Sequence, residues 1–325
     1  MQKLWNDKYS VYICIACLLL CAGLVAGCTT STSQPATTPV ATASATQPAT
    51  PALSGTLAGT PAPVNVVPAT TTAAPVTAKP VPTYTPSEKT LIVFTAASLT
   101  GVTKDLGKEF SAMYPGRTVV FNLDGTQALK TQVENGAYAD VFISASNSYT
   151  NTLKGEGFFI NSTVKPLTTN YVTVILPASN PGNIKSLSDL ATPGKKIAMA
   201  ASNVPIGTAS YAALANLAKS TYGQDWNKSV FSNVVSYETS EPAVATKVSL
   251  GEVDAGLVYE STYAAAPAGT LTAITIPKAD NYLQTYTIGV MKQTGSTSTA
   301  QEFEDFMLST IGQQTLKDYG FRPVS

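Results

Sequence analysis

The sequence predicts the α/β class: a mainly parallel sheet with helices on both faces, divided into two lobes. Three observations carry this. From Leu91 onward, short apolar runs alternate with helix-spaced segments in β-α-β-α-β order, the pattern of parallel strands joined by crossover helices. Breakers fall at the seams, as at Tyr114-Pro115-Gly116 and at Gly136. The patterned region, roughly 240 residues, exceeds the usual size of one hydrophobic core.

Leu91-Ile92-Val93-Phe94 reads as the first strand. Val102, Leu106, Phe110 and Met113 then recur at steps of four, four and three, which lines one face of a helix. Thr118-Val119-Val120-Phe121 is the next strand, and a helix from about Thr126 to Glu134 carries Leu129 and Val133. Asp140-Val141-Phe142-Ile143-Ser144 is short and apolar, as a buried strand should be. The pattern resumes at Tyr171 to Leu176 and at Lys196 to Ala200, followed by a helix from about Thr208 to Ser220. Val234 to Tyr237 and Ala255 to Tyr259 read as strands around a helix near Ala243 to Leu250. Tyr286 to Met291 is the last strand, and Phe303, Phe306, Met307 and Ile311 mark one closing helix.

The first 87 residues differ in kind. Lys3 and Lys8 precede an apolar run that ends in Leu24-Val25-Ala26-Gly27-Cys28, the layout of an export signal. A membrane anchor is the alternative, because about 17 largely apolar residues lie at the lower limit for spanning. From Thr29 to Pro86 the composition collapses to Thr, Ala, Pro, Ser and Val, without the bulk to form a core. This reads as a tether spanning roughly 40 Å as a flexible chain.

Composition excludes several chemistries. All four cysteines, Cys14, Cys17, Cys21 and Cys28, fall in the signal segment, so the folded part has no disulfide or thiol nucleophile. The absence of histidine removes Ser-His-Asp catalysis and imidazole metal sites. Formal net charge is zero with 12% charged residues, and Arg117 and Arg322 are the only arginines. No broad nucleic-acid-binding face is expected from that balance.

Four junctions where a strand hands over to a helix are small, hydroxyl-bearing and free of cations. They are Ala96-Ala97-Ser98-Leu99, Asp124-Gly125-Thr126-Gln127, Val204-Pro205-Ile206-Gly207-Thr208 and Ser240-Glu241-Pro242-Ala243. Such junctions lie at the carboxyl ends of strands, where open α/β sheets bind ligands, and their unpaired N–H groups favour anions. The bland reading makes Ser98, Thr126, Thr208 and Ser240 ordinary N-caps, each worth about 1 kcal/mol. Taken as a set, cation-free donors suit a small, compact, enclosed anion, since hydrogen bonds to charged groups contribute roughly 1.5–3 kcal/mol each.

The stretches FTAASLTGVTKDLGKEF, TQALKTQVENGAYADVFISAS, SNVPIGTASYAALANLAK and VSLGEVDAGLVYES, with a final YGF, together resemble the molybdate-binding proteins of ABC importers. Leu-Val-Ala-Gly-Cys likewise resembles the lipobox of exported lipoproteins, which implies lipidation of Cys28 and an anchor on the outer face of the cytoplasmic membrane. The resemblance implies a type II periplasmic-binding-protein fold with inter-lobe crossing strands. Residues 1–28 would be the signal and 29–87 the tether. Residues 88–169 and 282–325 would form lobe one, and 170–281 lobe two. Family ligand positions fall on Ser98 and Thr126, on the backbone N–H of Ile206 and Glu241, and on the Tyr259 hydroxyl. Tyr259 also reads simply as a tyrosine at the edge of the core. The implied ligand is molybdate, with tungstate as the second candidate, and no cofactor or catalysis is implied. The implied partners are an ABC permease and its ATPase, engaged by a monomeric receptor.

The sequence departs from the family pattern in three places. Thr126 stands where serine is usual, Ile206 where alanine is usual, and Glu241 where an apolar residue is usual. Three readings are open for Glu241. It turns to solvent as the first acid of its helix, or it coordinates molybdenum or tungsten directly, or it accepts a proton from a protonated anion. Related binders that use expanded coordination carry a second acid where this chain has Val204. The alternatives for the whole chain are a receptor for sulfate or phosphate, or a surface lipoprotein without a transport role. In an enzyme, Asp140 and Glu260 would be the acid–base pair; their bland readings are a strand start and a solvated turn.

Overall fold

The computed structural model describes residues 83–324. The signal segment, Cys28 and nearly all of the tether lie outside the described residues. Among those described, no helix is long and apolar enough to cross a membrane.

Among the described residues, nine strands form one continuous sheet. The first half holds β1 (Thr90–Ala96), β2 (Thr118–Asp124) and β3 (Val141–Ser144), with β1 parallel to both neighbours. The second holds β5 (Ile197–Ala200), β6 (Val234–Glu238) and β7 (Ala255–Tyr259), with β5 parallel to both of its own. Between the halves run β4 (Lys165–Pro177) and β9 (Leu283–Val290), antiparallel to each other and to their neighbours, and β8 (Leu271–Thr275) pairs with the outer end of β4. The order is β2-β1-β3-β9-β4-β7-β5-β6. The parallel pairs therefore belong to the outer strands, where helical crossovers connect them, and the crossing strands supply the antiparallel ones. Thirteen residues of β4 cross from one half to the other: Lys165 to Tyr171 pair with β9, and Val172 to Pro177 with β7 and β8.

Helices cover both faces: α1 (Thr100–Met113), α2 (Thr126–Glu134) and α3 (Asn147–Gly155) in the first half, and α4 (Pro205–Leu217), α5 (Gln224–Ser232), α6 (Glu241–Ser249) and α7 (Glu260–Ala264) in the second. The single closing helix expected from the sequence is two, α8 (Thr297–Leu308) and α9 (Thr310–Asp318). Ser309 breaks the run in extended backbone, and its hydroxyl accepts from the Gly312 N–H to start the second helix. Phe303 and Phe306 of α8 meet Phe110 of α1 with ring centroids 5.2 and 5.7 Å apart, which holds the C-terminal helices on the first half. Tyr84, assigned by composition to the tether, rests edge-on against Phe94 at 6.3 Å. Ser87 accepts from the N–H groups of Lys89 and Thr90.

Candidate functional site

The small-residue junctions all deliver their residues to one cleft. From the first half come Ser98, on a single 3-10 turn (Ala97–Leu99) after β1, and Thr126, at the start of α2. From the second come Val204 and Ile206 at the start of α4, Glu241 at the start of α6, and Tyr259 at the end of β7. All five sequence-predicted ligand residues line this cleft. Among the described residues, no lysine or arginine does. The positive ends of α2, α4 and α6 supply the favourable field for an anion instead.

The N-cap reading of the hydroxyls does not hold. Ser98 lies inside the 3-10 turn, Gly125 rather than Thr126 caps α2, and Val204 rather than Thr208 caps α4. Ser240 occupies the cap position of α6 but makes no side-chain cap bond. The hydroxyls are used otherwise. Ser98 Oγ accepts from the Tyr286 hydroxyl at 2.8 Å, and Thr126 Oγ1 accepts from the Ala145 N–H at 3.1 Å. Each hydroxyl keeps its one proton to donate, and both residues line the cleft.

Ile206 follows Pro205 at the first turn of α4, and the first closed bond of that helix runs from the Thr208 N–H to the Val204 carbonyl at 2.9 Å. The N–H groups of Ile206 and Gly207 precede that bond, as the orphan donors of a helix start do. Gly207 is required there: a Cβ would lie 1.9 Å from the Ala201 carbonyl oxygen. That contact brings the helix start down onto the end of β5.

Glu241 does not turn to solvent. It is 3% exposed, and its side chain folds back under α6. Oε1 accepts from the Tyr259 N–H and from the Thr262 hydroxyl, each at 2.7 Å. Oε2 is buried without a partner. Burial outweighs the two donors and pushes the carboxyl up to about 7. Among the described residues, no group of three or more His, Cys, Asp or Glu is placed to hold a metal ion, and the second acid of expanded coordination is absent at Val204.

Tyr259 is 1% exposed, and its hydroxyl donates to Gln284 Oε1 at 3.5 Å. Its ring meets that of Tyr286 edge-on at 6.0 Å. Burial raises both phenols well above their usual range, so they stay neutral O–H donors. The two acids weighed for catalysis are structural. Asp140 accepts from the Ile92 N–H at 2.8 Å and from the hydroxyls of Thr294 and Tyr138. Glu260 pairs with Arg322 at 2.6 Å rather than facing water alone. Sequence reasoning missed Tyr286, Ala145, Thr262 and Gln284, which hold the site residues in place. Each lies far along the chain from its partner or offers only a backbone group, and no local pattern marks it.

The family model described as bacterial extracellular solute-binding protein matches residues 91–322. The chain belongs to that family. This solute-binding protein is 32% identical over 237 residues to the molybdate-binding protein ModA of Mycobacterium tuberculosis H37Rv, covering 73% of this chain and 86% of the relative. It is 27% identical over 232 residues to the molybdate-binding protein ModA of Haemophilus influenzae, covering 70% and 88%. Among solved structures, the periplasmic molybdate-binding protein of Azotobacter vinelandii matches with a TM-score of 0.62 at 22% identity, covering 72% of this chain and all of that one. The sulfate-binding protein SubI of Mycobacterium tuberculosis matches with a TM-score of 0.65 at 17% identity, covering 73% and 88%. The fold of the solute-binding protein is thus that of the type II periplasmic binding proteins, a family of receptors rather than enzymes.

Proposed function

We propose that this chain is the capture receptor of an ABC importer for molybdate, with tungstate taken by the same cleft. One observation carries the reading: residues bearing neutral N–H and O–H groups, from both halves of the sheet, line one cation-free cleft. Ser98 and Thr126 offer hydroxyls from one side. Ile206 and Glu241 offer N–H groups from the other, and Tyr259 a hydroxyl that turns from Gln284 Oε1 to the anion. A compact oxyanion recovers its lost hydration only when donors approach from all around. Residues 88–169 with 282–325 act as one lobe and 170–281 as the other, and the lobes meet over the anion. The relatives of this chain that are named for molybdate support the choice of ligand.

The same reading places the receptor outside the cytoplasm, held by a lipid on Cys28 and a Thr/Ala/Pro-rich tether. It works as a monomer that docks on a permease powered by its ATPase. The test is a calorimetric titration of the purified protein with molybdate, tungstate, sulfate and phosphate. Molybdate and tungstate are expected to bind at least about a hundredfold tighter than the other two, or about 2.7 kcal/mol. Sulfate bound as tightly as molybdate refutes selection by size. The unpartnered Oε2 of Glu241 favours one second reading, a receptor for a protonated oxyanion such as hydrogen phosphate. Tight phosphate binding with weak molybdate binding in the same titration establishes it.

A further inference from the structure

We propose that Glu241 and the bound oxyanion share one proton, so that this receptor captures its anion together with a proton and loses affinity as pH rises. The inference rests on the oxyanion-receptor reading and specifies how that site is regulated. Its basis is the asymmetry of one carboxyl group. Oε1 is saturated by the Tyr259 N–H and the Thr262 hydroxyl, which fixes the plane of the group. Glu241 lines the same space as Ser98 and Thr126, and its Oε2 is buried without a donor. An acceptor-only oxygen facing an acceptor-only anion makes no bond. One proton between them converts the contact into a charge-assisted hydrogen bond.

No other group takes that role. Each element packed against Glu241 brings the following titratable or charged residues. Tyr259 of β7 and Tyr286 of β9 are held neutral by burial. The 3-10 turn at Ala97–Leu99 and the buried strand β5 bring none. Glu238 of β6 is held by Lys247 of α6 at 3.1 Å. Tyr171 of β4 lies under the Arg322 guanidinium at 5.2 Å, and Glu260 of α7 takes the same arginine. Burial and two hydrogen bonds set the titration of Glu241, with no cation contributing. A carboxylate and a dianion enclosed together in low dielectric cannot both keep full charge. The balance is simple. For a fully ionised anion, the proton comes from solvent onto Oε2, which donates it in a hydrogen bond to an anion oxygen. For a monoprotonated anion, the ligand brings the same proton and donates it to Oε2. No covalent bond to the anion forms.

The experiment is a titration of the full chain with molybdate, which stays ionised from pH 6 to 9 and adds no slope of its own. It is run at each pH in two buffers of different ionisation enthalpy. Wild type is expected to lose affinity about tenfold per pH unit above pH 7, with about one proton taken up per anion at pH 8. Glu241→Gln carries a permanent N–H at this position and is expected to lose the slope, changing less than about twofold over the range. Wild type that binds molybdate equally from pH 6 to 9 without proton uptake overturns the inference and leaves the receptor reading standing. A slope that persists in Glu241→Gln also overturns it. Failure of molybdate, tungstate, sulfate and phosphate to bind at every pH removes both.

Discussion

Ser98 and Thr126 each receive a hydrogen bond from within the protein and have one left to give. Under the proposed function, replacing either with alanine deletes a donor to the anion, and it strands the partner behind it, the Tyr286 hydroxyl or the Ala145 N–H. Each is expected to weaken molybdate binding by about 2 kcal/mol, or about thirtyfold, in calorimetry. Thr126→Ser, which keeps the hydroxyl, is expected to restore most of it. Glu241 makes a separate prediction for the ligand-free protein. Its carboxyl rises from an ordinary 4.5 to about 7 on folding, so between those values the native state holds a proton that the unfolded chain releases. The stabilisation is complete below pH 4.5 and is lost as pH rises to about 7, an effect of about 3 kcal/mol. Chemical denaturation at pH 5 and pH 8 is expected to show that loss in wild type and not in Glu241→Gln. At this scale the sequence is legible where chemistry and local pattern coincide. Ser98, Thr126, Ile206 and Glu241 stand at junctions read from the local pattern, Tyr259 was reached only through the family resemblance, and all five line the cleft. Burial of Glu241 was not legible. The first acid of a helix normally faces water, and only the β7–α7 corner, with its Tyr259 N–H and Thr262 hydroxyl, draws it inward.

Under the proposed function, the helix starts matter because their backbone N–H groups belong to the ligand set. Gly207 is the sharpest case: its position leaves no room for a Cβ beside the Ala201 carbonyl. Gly207→Ala must lift the first turn of α4 off the end of β5, which moves the Ile206 N–H. It is expected to destabilise the fold by about 1–3 kcal/mol and to reduce anion affinity at a temperature where the protein remains folded. Thermal melts with and without molybdate separate the two effects. Strong apolar periods in the sequence found β1, α1, α2, β3 and β7 to within a residue or two. Weak periods hid others. The helix α3 buries only Thr150 and Leu153, and α5 only Trp226 and Val230. The first half of β4 was missed for a different reason. Pro166 and the polar run Thr168-Thr169-Asn170 look like loop, yet Thr168, Thr169 and Asn170 are buried in the crossing. Their side chains are satisfied by Arg322 and Ser261, which only the assembled fold brings near.

For the whole molecule, the question is what holds the cleft shut. Among the described residues, two side chain-to-carbonyl hydrogen bonds join the halves outside the ligand set, besides the Arg322–Glu260 ion pair. The Tyr149 hydroxyl of α3 donates to the Asn203 carbonyl ahead of α4 at 2.5 Å, and Gln127 Nε2 of α2 donates to the Thr239 carbonyl ahead of α6 at 2.9 Å. Both join a side chain of the first half to a backbone carbonyl of the second. In the proposed two-lobe movement, β4 is the connection that stays intact, stitched to the returning chain by Asn281, whose amide bonds both the N–H and the carbonyl of Val172. Under the proposed two-lobe movement the stitch serves as hinge and the two spanning bonds as latches, and the latches act only on the closed state. Tyr149→Phe combined with Gln127→Ala removes both without touching a ligand donor. At about 1 kcal/mol each, the pair is expected to speed anion release about thirtyfold while leaving the association rate within about threefold. Stopped-flow displacement measures the two rates, and small-angle scattering of the ligand-free protein is expected to show a more open population in the double variant. Equal release rates in wild type and double variant assign closure to the anion's own donors.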